Sequence, residues 1–171
     1  MKDNILIEPS IDYKNEYIEM VTEWEQTGDM VPFVLRFDYC DFNEMLQKLI
    51  DLKELPIADS RRVNSSTFWL VNNEKKVIGI VNIRHKLNDS LRYHGGHIGY
   101  GIRPSERRKG YATEILKLAL IKAKELGIEK ALITCDKDNI GSAKTIKNNG
   151  GILDSEEEVN GIDIQRYWIE Y

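Results

Sequence analysis

The apolar stripe that begins after Gly110 constrains the fold more than any other part of the sequence. Its members recur at the 3.6-residue period of an α-helix and stop at Gly127, a typical helix terminator. They are Ala112, Ile115, Leu116, Ala119, Ala123 and Leu126. A glycine-rich run at 95–102, interpreted as a strand, stops at Pro104 just before this helix. A strand that leads within a few residues into an amphipathic helix indicates an α/β fold.

Hydrophobic periodicity in the rest of the chain predicts further strands and helices. Strands are expected at 5–8, 67–71, 77–87, 131–135 and 162–171. Helices are expected at 14–26, from Asp41 onward and at 139–148. Asp41 with Glu44 has the form of a capping box. The predicted order, β-α-α-β-β-β-α-β-α-β-β, implies an α/β fold with a mixed sheet, antiparallel hairpins and a crossover helix, and residues 1–171 are expected to form a single domain.

Composition and charge exclude several classes of function. The 171 residues carry 24 basic and 28 acidic side chains, a formal net charge of -4, which argues against nucleic acid as a partner. Cys40 and Cys135 lack C-x-x-C spacing, so we expect no disulfide scaffold, no zinc site and a reducing compartment. The longest apolar runs are far shorter than the roughly 20 residues of a membrane-spanning helix, and the run at 5–7 is too short for a signal peptide. A cytoplasmic protein with no membrane partner is expected.

The loop before the main helix has the features of an anion-binding site. The first amides of a helix have no intrahelical acceptor and lie at the positive end of the macrodipole. Gly110 lets the backbone approach a ligand, and the preceding cations Arg107, Arg108 and Lys109 could bind phosphate. The loop contains neither of the common nucleotide-binding patterns, G-x-x-x-x-G-K-[ST] and G-x-G-x-x-G. An ordinary solvated basic loop is the alternative interpretation.

Two motifs in this region resemble those of the GNAT superfamily of acyl-CoA-dependent N-acetyltransferases. The segment Arg107-Arg108-Lys109-Gly110-Tyr111-Ala112 is similar to the family signature [QR]-x-x-G-x-[GA], in its usual place between a strand and a helix. The segment that begins Asn139-Ile140-Gly141-Ser142-Ala143 and runs to Gly150 is similar to the family's N-x-x-[AS] helix. Together the motifs cover about residues 77–151, and the element order extends the resemblance to nearly the whole chain.

The resemblance implies a fold and a cofactor. The fold would be a strongly twisted mixed sheet of six to seven strands with about four helices. It would be splayed, after a strand bulge, between the strand ending near Ile102 and the strand at 131–135. Acetyl-CoA would lie in the splay, with its pantetheine arm on the backbone of Ile102 and near Asn139 and Ser142, both of which could instead simply cap their helix. The pyrophosphate cradle would comprise Arg107, Arg108, Lys109, Gly110, Tyr111, Ala112 and Thr113.

The resemblance identifies the catalytic groups less completely. The position of the family's usual tyrosine acid is occupied by Ile146, and Gly151 replaces the aromatic residue that usually follows the closing glycine. His97 lies five residues before Ile102, similar to a position at which some family members carry a general base, and histidine titrates near neutrality. The alternative for His97 is a local role in the turn with His94. No metal site is predicted from the histidines.

The acceptor side is less constrained by the sequence. The resemblance places its walls on the first two helices and near a turn at Glu156–Glu158. Trp24, Tyr39, Trp69 and Trp168 could line it, although such aromatics are more often core residues, and the acidic excess would suit a cationic acceptor. We therefore expect transfer of an acetyl group from acetyl-CoA, by direct attack, to a primary amine of a small molecule or peptide. An acyl-CoA-binding sensor without turnover is the alternative function. A homodimer is compatible with the sequence.

Overall fold

The computed structural model describes residues 4–59 and 61–171, so residues 1–3 and 60 of the expected domain lie outside the description. The strands are β1 Ile5–Ile7, β2 Ser65–Val71, β3 Val77–Arg84, β4 Ile98–Ile102, β5 Lys130–Asp136, β6 Ile152–Val159 and β7 Ile162–Glu170. The helices are α1 Lys14–Thr27, α2 Phe42–Glu54, α3 Asp89–Tyr93, α4 Tyr111–Glu125 and α5 Ile140–Asn148. Short 3₁₀ turns occur at Ile11–Tyr13, Phe33–Leu35 and Pro104–Glu106.

The strands form two antiparallel sheets that meet where the splay was predicted. One sheet has the order β1-β2-β3-β4 and the other β5-β7-β6. At their junction the amide of His97 donates to the carbonyl of Leu132 over 2.7 Å, and the amide of Gly95 donates to Oγ1 of Thr134 over 2.8 Å. Apart from these contacts, β4 and β5 belong to different sheets. The predicted α/β fold, split between the strand ending at Ile102 and the strand at 131–135, is confirmed.

Three details differ from the expectations. The β3–β4 register continues without a shift from Gly79–Ile102 to Ile83–Ile98, so the split does not follow a bulge in β4. β3 ends at Arg84 and is followed by the short helix α3, which Asn88 caps and which is too short for periodicity to predict. The three glutamates at 156–158 lie within β6 and not in a turn, because β6 pairs with β7 alone and its exposed edge tolerates charge.

Two apolar cores lie on the faces of the sheets. One packs β2, β3, β4 and β5 against α4 and α5, and the other packs α1 and α2 against β2 and β3. Arg103, which is only 4% exposed and directly follows β4, ties α1 to this arrangement. Its guanidinium donates to carboxylate oxygens of Glu16, Glu19 and Glu23 over 2.9, 3.2 and 2.6 Å. These contacts fix α1 beside the end of β4. No helix in the described ranges is long and apolar enough to cross a membrane.

Candidate active site

A cavity of about 910 Å³ opens at the split between the sheets. At the first end it is lined by the loop before α4, the first turn of α4 and the exposed face of α5. At the second end the lining residues are Phe33, Arg84, Leu91, His94, Gly95 and Thr134, while Trp24 and Pro32 line the wall beside Gly101 between the two ends. β4 connects the two ends, because all five of its residues line the cavity. One opening therefore reaches both a helix N-terminus and an aromatic pocket.

The N-terminus of α4 presents free amides to the first end of this cavity. Gly110 adopts the left-handed φ of 87°, and α4 has no side-chain cap. The amides of Thr113 and Glu114 donate to the carbonyl of Gly110, so those of Tyr111 and Ala112 precede the first helical acceptor. A Cβ built at Gly110 would meet no atom within 4 Å, so the approach to these amides is open. This geometry fits the diphosphate of coenzyme A.

The three cations before α4 do not act as one cluster. Lys109 binds Oε2 of Glu106 over 2.9 Å and does not line the cavity. Arg107 lines it but pairs with Asp29 over 2.9 Å, and its guanidinium lies 4.8 Å from the ring centre of Trp24. Arg108 lines the cavity, adopts a φ of 60° and forms no hydrogen bond or ion pair with any residue that the structure describes. Of the three, Arg108 is the one whose donors are all free of protein partners in the described ranges.

α5 brings both of its predicted residues to the cavity. Oδ1 of Asn139 accepts the amide of Ser142 over 3.0 Å, so Asn139 caps the helix as well as lining the cavity. Lys144 and Asn148, which the sequence analysis missed, line the same wall. Their spacing from Gly141 is the signal that could have identified them, because residues at i, i+3 and i+7 share one face of a helix. With Gly141 and Thr145, six residues of α5 and its N-cap therefore line the cavity.

The hydroxyl of Tyr100 is a further group that the sequence analysis missed. It lies 3.2 Å from Oγ of Ser142, and Tyr100 lines the cavity from β4. Burial raises the pKa of Tyr100 despite hydrogen bonds to Ser142 and Thr145 that lower it, so the hydroxyl stays protonated at neutral pH. Ile146, at the family's usual tyrosine position, is completely buried. Tyr100 therefore supplies a hydroxyl at the split that Ile146 cannot.

His97 does not line the cavity. It is 7% exposed, and its Nδ1 accepts the amide of Leu132 over 2.9 Å. Burial, followed by the charges of Arg92 and Arg84, lowers the pKa of His97 to about 4, so the ring is neutral at pH 7. A ring whose Nδ1 accepts a hydrogen bond carries its proton on Nε2 and has no lone pair left for an amine proton. This geometry supports the alternative local role and not general-base catalysis.

The histidine at the cavity wall is instead His94, which is exposed. The second potential base there, Glu106, is bound by Lys76 over 2.6 Å and by Lys109 over 2.9 Å. Burial acts to raise the pKa of Glu106, but these hydrogen bonds outweigh it and lower the pKa. Among the described residues no group of three or more histidine, cysteine or acidic side chains could hold a metal.

The aromatic residues proposed for the acceptor side separate into lining and core residues. Trp24 lines the cavity, whereas Trp69 is fully buried and stacks on Tyr17 at 5.0 Å between ring centres. Tyr39 and Trp168 do not contribute to the wall. Phe33 also lines the cavity, and its ring packs on Gly99. A Cβ at residue 99 would come within 2.5 Å of that ring, so only glycine allows this packing.

Comparison with known families agrees with this geometry. The sequence profile described as "Acetyltransferase (GNAT) domain" matches residues 5–152. The chain belongs to the GNAT acetyltransferase family. As a GNAT acetyltransferase it uses acetyl-CoA as the acetyl donor, which confirms the predicted activity class and cofactor. No curated protein sequence matches the chain significantly.

Solved structures share the fold of this GNAT acetyltransferase at low sequence identity. The ribosomal L7/L12 α-N-protein acetyltransferase RimL in complex with coenzyme A is 15% identical with a TM-score of 0.70, over 98% of this chain and 93% of that one. The microcin C7 self-immunity acetyltransferase MccE, bound to acetyl-CoA and AMP, is 18% identical with a TM-score of 0.68, over 99% and 93%. A spermidine N-acetyltransferase SpeG chimera from Vibrio cholerae and hSSAT is 15% identical with a TM-score of 0.66, over 98% and 95%.

Proposed function

We propose that this chain, as one domain, transfers the acetyl group of acetyl-CoA directly to a primary amine of a small molecule or peptide. The observation that carries the proposal is the open N-terminus of α4 at Gly110, which lies in the same cavity as β4 and the aromatic pocket. RimL and SpeG are named as acetyltransferases of a protein α-amine and of spermidine, so this fold serves amines of different size. Acetyl-CoA supplies an acyl group activated by its thioester.

The residues at the first end would hold the coenzyme. The amides of Tyr111 and Ala112 and the side chains of Arg107, Arg108 and Thr113 would bind the diphosphate, and Lys109 would act indirectly by holding Glu106. The backbone of Ile102, on the edge of β4 that faces the split, would pair with the pantetheine arm. Asn139, Ser142, Lys144 and Asn148 would contact the coenzyme from α5.

The second end would receive the amine. A bond forms between the amine nitrogen and the acetyl carbon, the bond from that carbon to sulfur breaks, and the amine loses a proton. We assign this proton to His94, the lining histidine, in preference to His97. The hydroxyl of Tyr100 would donate a hydrogen bond to the departing sulfur. Because burial raises its pKa, Tyr100 would stabilise the thiolate as a donor without losing its own proton.

Cys135 does not serve this reaction as a nucleophile. Its side chain is 7% exposed and lies outside the cavity wall. Burial raises the pKa of its thiol, which disfavours the thiolate that an acyl-enzyme would require. Direct attack by the amine is therefore the proposed route. An exposed free thiol at Cys40 supports a reducing, cytoplasmic location.

Two measurements test the proposal. Release of free thiol from acetyl-CoA is followed with a panel of amines, and coenzyme A affinity is measured by calorimetry. We expect coenzyme A to bind and at least one amine to be acetylated. Binding without turnover on any amine would replace the proposal by the acyl-CoA sensor, and absence of binding would remove both.

A further inference from the structure

Arg84 carries a charge at the second end of the cavity that no carboxylate of the described residues neutralises. Among the described arginines, only three are not exposed: Arg84 is half-buried, and Arg103 and Arg166 are buried. Arg103 is paired with three glutamates of α1, and Arg166 with Glu157 over 3.1 Å. Arg84 forms no ion pair with any residue in 4–59 or 61–171. A partly buried cation without a counter-ion is costly, and an anionic ligand would offset that cost.

The position of the Arg84 guanidinium is fixed by its neighbours. Nη1 donates to the carbonyls of Gly95 and Gly96 over 2.9 and 3.0 Å, and Cζ lies 4.4 Å from the ring centre of Phe33. The Nε and Nη2 donors have no hydrogen-bond partner in the part of the chain that the structure describes. This edge of a guanidinium matches the two oxygens of a carboxylate or phosphate. The donors are therefore held in place and available.

The charge of the cavity walls also favours an anionic ligand at Arg84. Burial lowers the pKa of Arg84 to about 10, which leaves the side chain cationic at neutral pH. The acidic residue that lines the described cavity is Glu106, at the other end, and two lysines hold it. Among the described residues the second end therefore offers the free donors of Arg84 and no carboxylate, so the acidic excess of the sequence does not extend to this site.

We propose that Arg84 binds an anionic oxygen group of the acceptor, so that the preferred substrates are amines that also carry a carboxylate or a phosphate. This rests on the proposed function of the cavity. A polycation such as spermidine would place positive charge against Arg84 and would be a poor substrate. The role assigned to Arg84 is positioning of the acceptor, with no part in proton transfer.

Matched acceptor pairs test the proposal on the whole chain. The pairs are amino acids with their amides, and O-phosphoethanolamine with ethanolamine, with spermidine as the cationic comparison. We expect kcat/KM at least tenfold higher for one anionic class than for its neutral partners. Arg84→Gln should remove that preference mainly through KM, while coenzyme A affinity stays unchanged. Arg84→Lys keeps the positive charge but loses the paired donors of the guanidinium, so it should retain part of the preference for anionic acceptors. Arg62→Gln, a control at an exposed site, should retain all of that preference.

The outcomes separate this proposal from the proposed function. Equal or better turnover of the neutral partners or of spermidine by the wild-type chain would overturn the Arg84 assignment and leave acetyl transfer intact. The same holds if Arg84→Gln keeps the preference. Comparison of the two pairs distinguishes a carboxylate from a phosphate. If Arg84→Gln unfolds, which melting curves would reveal, the wild-type ratios and Arg84→Lys still decide the question. Absence of turnover with every amine would overturn the proposed function, and the Arg84 assignment with it.

Discussion

Nδ1 of His97 accepts the amide of Leu132 over 2.9 Å, while the amide of His97 donates to the carbonyl of Leu132 over 2.7 Å. This double contact joins the two sheets at the base of the split. Because Nδ1 can accept only while the ring is neutral, protonation would break one of the two hydrogen bonds. The junction between the sheets is therefore sensitive to acid.

The first prediction concerns stability in acid. The pKa of His97 is about 4 in the folded chain and roughly 6.5 in the unfolded chain, so the unfolded state binds more protons between these values. The free energy of unfolding should therefore fall as pH drops, by about 2 kcal/mol from this group between pH 7 and 5. His97→Asn keeps an acceptor for Leu132 and does not titrate. Urea unfolding at both pH values should show that extra loss in the wild type alone, and parallel losses would contradict the assignment.

The second prediction separates the two histidines in catalysis. His94 lines the cavity and His97 does not. His94→Asn should lower kcat by roughly 10² because a general base contributes about 10² to 10⁴. His97→Asn is the matched control and should keep kcat near the wild-type value once folding is confirmed. Steady-state kinetics with one accepted amine measure both, and a larger loss in His97→Asn would return the base to that residue.

The extent to which the sequence predicted the site depends on how local each contact is. The stretch from Ile102 to Thr113 is contiguous, so its strand, loop and helix could be predicted together. Which histidine faces the cavity could not be predicted, because the positive φ angles of 115° and 61° at Gly95 and Gly96 decide which side chain lines it. Periodicity carries no information about such a turn.

The remaining missed residues depend on contacts between distant segments. The role proposed for Tyr100 depends on its contact with Ser142, and the role proposed for Arg84 depends on Phe33 and on the lack of an ion pair with any described carboxylate. In the fold, the buried elements followed their apolar patterns, whereas β6 did not, since an exposed edge strand has no apolar face to display. Burial made the bounds of those strands and helices predictable, whereas β6 appeared in the predicted order without bounds.

The third prediction uses two glycines at opposite ends of α4. Gly110 and Gly127 have φ angles of 87° and 81°, and a Cβ would meet no atom within 4 Å at either position. Alanine should therefore cost each variant a similar stability, about 1 kcal/mol, through backbone strain alone. Only Gly110→Ala should weaken coenzyme A binding, by tenfold or more, because relief of the strain moves the amides of α4. Calorimetry that found equal affinities in both variants would contradict the diphosphate site.

The fourth prediction concerns the Tyr100 hydroxyl. Tyr100→Phe removes one donor at the split, and loss of such a donor costs roughly 10² to 10³ in kcat when it stabilises a transition state. Coenzyme A affinity should change little. Tyr167→Phe is the control, since Tyr167 is buried, donates to Gln165 over 2.7 Å and does not line the cavity. Stopped-flow measurement of thiol release would reject the assignment if the two variants were equally active.

The fifth prediction concerns the strained backbone of Arg108. Arg108 and Lys75 adopt φ angles of 60° and 62°, which glycine tolerates and other residues rarely adopt. Arg108→Gly and Lys75→Gly should therefore both keep or raise thermal stability, by up to about 1 kcal/mol. Only Arg108→Gly should lose coenzyme A affinity and reduce its dependence on salt, because Arg108 lines the cavity with no protein partner among the described residues. If both variants bound coenzyme A like the wild type at every ionic strength, the strain at Arg108 would serve no phosphate contact.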